Sequence, residues 1–130
     1  MRQVTNSNQN KSRADLILEA YPTIQYVAII DFSNKVIECR GHGTFALDLS
    51  PEKIREFVSI GPLLVMGALG HKLESSCGRL EFVVGRFEKD LIVIYQAGNE
   101  MVVLVTSMID MDKLDEIAIF LDKLEAKLLA

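Results

Sequence analysis

The sequence predicts an α+β fold built on a five-stranded antiparallel sheet, and three observations carry that prediction. Five apolar runs of strand length fall into two groups, and within each group the connections are too short for a parallel crossover. Segments with apolar residues at helical spacing lie before, between and after the two groups. The chain has 130 residues, 49% of them hydrophobic, enough for one core without a disulfide or metal staple.

Residues 1–11 are rich in Asn, Gln, Ser and Thr, with Val4 the one apolar residue in their interior, and are expected to form a flexible tail before a single domain over 12–130. Ser12 and Asp15 have the spacing of a helix cap and its third-position acid. Leu16, Ile17 and Ala20 then fall on one face of a short helix closed by Pro22. IQYVAIID (24–31) is apolar on both alternating sets, the pattern of a strand covered on both sides. VIECR (36–40) places Ile37 and Cys39 on one face and Glu38 and Arg40 on the other, as a half-buried strand does. The two make a hairpin, with Asn34 suited to a left-handed turn position and Asp31 to a turn carboxylate bonded to backbone amides.

GHGTFALDL is read as a loop, and Ser50–Pro51 starts a long helix running to about Glu74. Its first half has a stripe of Ile54, Phe57 and Val58 beside charged residues. Between Phe57 and Gly70 the wheel has no charged face, and Gly61–Pro62 predicts a kink. RLEFVVGRF, LIVIYQ and MVVLVT then form a meander. Arg79, Glu81 and Arg86 in the first of these strands place it nearer an edge. Asp110 or Asp112 caps a closing helix with Leu114, Ile117, Ala118, Leu121, Leu124 and Leu128 on one face.

The charge balance is −4 with no basic block, which disfavours a nucleic-acid or anionic-membrane partner. No apolar stretch is long enough to span a bilayer and the N-terminus lacks a secretory apolar core, so a cytoplasmic location is expected, with Cys39 and Cys77 as free thiols. No nucleophile, base and orienting group can be assembled from the spacing, and neither a metal nor a cofactor motif occurs, so the chain is expected not to be an enzyme. His42 between two glycines reads as an exposed loop residue, and His71 as a complement to the negative end of the long helix. Cys77, expected at that same helix end, is a poor nucleophile candidate, and Met66, Met101, Met108 and Met111 read as core filler.

The order helix, hairpin, long helix, meander, helix resembles the roadblock and dynein-light-chain group of profilin-like folds over about residues 14–128. QYVAIIDFSNKVIECR is the most specific piece, looking like that group's first hairpin, and the chain is similar in appearance to small archaeal roadblock-like proteins of unassigned function. The resemblance implies strand order 2-1-5-4-3, with the long helix on one face and the terminal helices on the other. It also implies a homodimer formed through third strands and long helices, serving as a platform for a small GTPase or a larger complex.

The uncharged helix segment points to self-association on its own account, because a chain this small seldom exposes a continuous apolar patch. The candidate interface residues are Ile60, Leu63, Leu64, Val65, Met66 and Leu69 of the helix, with Glu81 and Val83 of the third strand. The alternative is a small-ligand sensor of PAS or GAF type, which requires an interior cavity lined by a few polar groups.

Overall fold

In the computed structural model, which describes residues 11–33, 35–42, 52, 53, 56 and 70–129, the chain runs α1 (Arg13–Ala20), β1 (Ile24–Asp31), β2 (Val36–Gly41), α2 (Gly70–Cys77), β3 (Phe82–Arg86), β4 (Asp90–Ala97), β5 (Glu100–Ser107) and α3 (Met111–Leu129). All strand pairs are antiparallel and the order is β2-β1-β5-β4-β3, as the resemblance implies.

The sheet is apolar on both faces because β1, β4 and β5 carry continuous apolar runs. On one face Val27 and Ile29 of β1, Val93 and Tyr95 of β4 and Leu104 of β5 pack under Ala14 and Ile17 of α1 and Leu114, Ile117 and Leu121 of α3. Each such aliphatic side chain contributes roughly 1.5–3 kcal/mol by leaving water. The opposite face carries a second buried cluster, Tyr26, Ala28, Ile30, Ile94, Met101, Val103 and Val105. Of the long helix expected there, Glu52, Lys53 and Glu56, which have helical backbone, and its end within α2 are described, while its start at Ser50 and its kink at Gly61–Pro62 lie outside the described residues.

Local chemistry sets the element ends. The Ser12 hydroxyl accepts from the Asp15 amide at 3.2 Å, and the Asp110 carboxylate accepts from the Lys113 amide at 2.9 Å, so Asp110 rather than Asp112 caps α3. Gly98 takes up positive φ (62°) in the two-residue turn between β4 and β5, and the Glu125 carboxylate lies where a side chain at that position would project.

Several expectations are corrected. The face of α1 toward the sheet is Ala14, Ile17 and Leu18, whereas Leu16 and Ala20 face outward with Glu19, Phe120, Lys123 and Leu124 around a shallow surface groove. The helix expected to stop near Glu74 continues to Cys77, where Gly78 at φ 85° donates its amide to the Glu74 carbonyl at 2.9 Å and closes the last turn. His71 therefore lies well before the helix end and does not meet its dipole. In β2 the pairing jumps from Ile30↔Val36 to Ile29↔Glu38, so Ile37 is a bulged residue. The bulge shifts the parity: Cys39 packs with Val36 on the second cluster, not with Ile37, which is 41% exposed. Met101 is core as expected, but Met108 and Met111 are exposed.

Candidate interaction surface

β3 is an edge strand because its sequence cannot be covered on both sides: Glu81 and Arg86 flank a short apolar run. Gln96 donates to the Glu81 carbonyl at 3.5 Å, and Phe87 donates to the Asp90 carbonyl at 2.8 Å. Antiparallel pairing alternates, so odd-numbered residues exchange bonds with β4, and the backbone groups of Phe82, Val84 and Arg86 point away from the sheet. The register from Phe82↔Tyr95 to Arg86↔Leu91 contains no bulge.

The side chains follow the same alternation. Phe82 packs inward on Tyr95, ring centroids 5.2 Å apart, on the face of the terminal helices. Val84 shares that face and is 37% exposed. Val83 packs on the opposite cluster, next to Ile94 in the ladder. Phe87 is 51% exposed, and its ring edge lies 3.6 Å, an ordinary contact distance, from where a side chain on Gly85 would begin. Glu81 is exposed beside Val83. The remaining candidate interface residues, Ile60, Leu63, Leu64, Val65, Met66 and Leu69, lie outside the described residues.

The opposite edge is built differently. Arg13, at the start of α1, reaches over β2 and β5: its Nη1 is 2.6 Å from Glu100 Oε1, and its Nε is 3.4 Å from Glu38 Oε2. Glu38 also accepts from the Ala14 amide at 3.1 Å. These side chains are three-quarters or more buried, and the hydrogen bond to Glu100 holds Arg13 firmly protonated against the partial loss of water. Sequence reading missed this triad. Its members are 25 and 87 residues apart and have no local signature. At the β1–β2 turn the Asp31 carboxylate accepts from the Lys35 and Ser33 amides at 3.0 and 2.9 Å and from the Ser33 hydroxyl at 2.7 Å. The Lys35 amide first, then the Ser33 hydroxyl, hold its pKa below the usual carboxylate range. Asp31 is thus the turn carboxylate that the sequence suggested. Asn34 lies outside the described residues.

Other candidates for chemistry are dispersed. His42 and His71 are both exposed, and Cys77 is exposed at the end of α2. Cys39 is half-buried against Tyr26, whose hydroxyl is pushed up in pKa by burial and then by its bond to that thiol. Burial likewise raises the Tyr95 hydroxyl, which donates to the Leu114 carbonyl at 2.9 Å and ties β4 to α3. Among the described residues no three His, Cys, Asp or Glu side chains group to hold a metal, and no helix is long and apolar enough to cross a membrane. The cavity between the terminal helices and the sheet, lined by Arg13, Ile17, Ile29, Ala97, Val102, Leu121, Leu124 and Glu125, holds about 20 Å³, room for a single water molecule.

By sequence, no family model and no curated protein matches the chain. By structure it is similar to the Roadblock/LC7 domain from Streptomyces avermitilis, with TM-score 0.63 and 12% identity over 89% of this chain and 93% of that one. It is also similar to MglB of Myxococcus xanthus, with TM-score 0.64 and 16% identity over 88% and 86% of the two chains. The gliding protein MglB of Thermus thermophilus superimposes with TM-score 0.59 and 17% identity over 88% and 83%. The chain therefore has the roadblock-like, profilin-like α+β fold.

Proposed function

We propose that this chain is a non-catalytic, homodimeric protein-interaction module that serves as a platform for a small GTPase or a larger assembly. The observation that carries the reading is the β3 edge: a straight strand with outward backbone groups at Phe82, Val84 and Arg86 beside exposed apolar side chains at Val84 and Phe87. Such an edge is a template for a further strand unless bulges or charges blunt it. The roadblock-like fold supports the same reading. The interface would combine Glu81 and Val83 of the third strand with the uncharged segment that holds Ile60, Leu63, Leu64, Val65, Met66 and Leu69.

Sedimentation tests the dimer. A second-copy mass at micromolar concentration is expected, converted to soluble monomer by Leu64→Lys or Met66→Lys. A monomer at that concentration, or insoluble protein from both substitutions, rejects the interface. For the platform role, affinity capture with the wild-type chain should retain a nucleotide-binding protein that the monomeric variant loses. Equal capture by both forms would separate the partner site from the dimer.

A further inference from the structure

We propose that the groove between α1 and α3 is a docking site for an amphipathic helix of a partner protein, which sets two apolar side chains one turn apart into the groove and an acidic residue beside Lys123. Such docking rests on the reading of the chain as an interaction module but not on the homodimer, because the groove is complete within one chain.

α1 and α3 run antiparallel over the sheet. Arg13, at the start of α1, lines the small inner cavity with Leu124 and Glu125, whereas the Tyr21 ring, just past the end of α1, meets the Phe120 ring edge-on with centroids 5.4 Å apart. With Ala14, Ile17 and Leu18 turned to the core, the outer flanks of the two helices leave a groove of about 490 Å³ lined by Leu16, Glu19, Ala20, Phe120, Lys123 and Leu124.

The lining selects the occupant. Both walls are helices whose backbone groups are engaged in their own turns, so the groove offers an extended peptide no ladder to join. A segment lying on these apolar side chains must satisfy its own backbone, as a helix does. Leu16 and Ala20 are one turn apart, ~6 Å along α1, which sets the docking side chains three or four residues apart. The two ends differ in room. Leu16 and Leu124 leave space for a small side chain, whereas Ala20 is exposed beside Phe120 and leaves space for a large one.

Charge supplies the third contact. Glu19 is already held by Lys11, Nζ to Oε2 2.7 Å, across eight residues. Lys123, exposed on the facing wall, has no carboxylate partner among the described residues. The groove's charged side chains thus leave one cation unmatched, on a chain whose overall charge is −4. An acid on the docking helix completes that pair and, with the unequal ends, fixes its orientation.

The probe is a fluorescent Ala-based helical peptide of about 16 residues, with Val and Phe four apart and a Glu on one flank. Binding to the full chain should raise its anisotropy and shift the amides of Leu16, Ala20 and Leu124 while those of Val84 and Arg86 stay in place. Ala20→Phe fills the roomy end and should weaken binding about tenfold. Lys123→Glu should weaken it about fivefold and restore it for a peptide with Lys in place of the Glu. Both positions are exposed, so thermal unfolding should stay unchanged. No binding at about 1 mM peptide, binding indifferent to both substitutions, or shifts confined to β3 overturns the proposal and leaves the dimer standing. Self-association lost with Ala20→Phe would put a second copy in the groove, and peptide affinity raised by Val4→Asp would put the chain's own residues 1–10 there; either overturns the proposal. Affinity capture with the wild-type chain judges the module reading separately.

Discussion

β2 and β3 are both edge strands of one sheet, yet β2 is bulged at Ile37 and held by α1 through Arg13 and Glu38, whereas β3 runs straight with its outer backbone groups unengaged by the described strands. The bulge turns the ladder aside, and the carboxylate of Glu38 accepts from the Ala14 amide and ties β2 to the start of α1. Flanking charges at Glu81 and Arg86 limit β3 but leave Val84 and Phe87 uncovered at its middle and end. Two edges of the same sheet thus differ through a handful of side chains: one is bulged and tied to α1, the other runs straight.

The contrast is broken most strongly at Val84. Its amide points away from β4, so Val84→Pro removes an outward donor while sparing the β3–β4 ladder. Self-association is expected to weaken about a hundredfold, near 2.7 kcal/mol, with the far-ultraviolet circular dichroism unchanged. Undiminished association in sedimentation would move the interface off this edge.

On the β2 side, Arg13→Ala leaves Glu38 and Glu100 partly buried and without their shared cation. A loss of about 2 kcal/mol in urea unfolding is expected, with association at β3 unchanged. Ser12→Ala deletes only the cap of the helix that carries Arg13 and should cost about 1 kcal/mol by the same measurement. The smallest effect belongs to the β1–β2 turn. Asp31 has a folded pKa below its unfolded value, so its contribution is full above the unfolded pKa, near 4, and is lost as pH falls through the folded one. Amide shifts of Ser33 and Lys35 should follow that titration, and Asp31→Asn should abolish it.

The strands were readable because each is dictated by alternation within a few residues. IQYVAIID and MVVLVT are apolar on both faces and became the two central neighbours β1 and β5, and the charged flanks of FVVGR marked β3 as an edge. The caps at Ser12 and Asp110 and the turn carboxylate Asp31 were legible for the same reason: each bond spans two to four residues. What escaped depends on distance. The inward face of α1 is decided by α3 and the sheet, so Leu16 and Ala20 fit a local stripe equally well but face outward. The parity of β2 depends on one bulge against β1, which no pattern inside VIECR announces.

By itself, then, the sequence determined the fold class, the order of the described elements and an edge position for the third strand, because hydrophobic periodicity and capping act over single turns and single strands. The tertiary structure alone decided that Arg13, Glu38 and Glu100 meet, that Ile37 bulges outward, and that the backbone groups of β3 pointing away from β4 are those of Phe82, Val84 and Arg86. Those facts depend on which strand lies beside which and in what register, a choice made by the packed core as a whole.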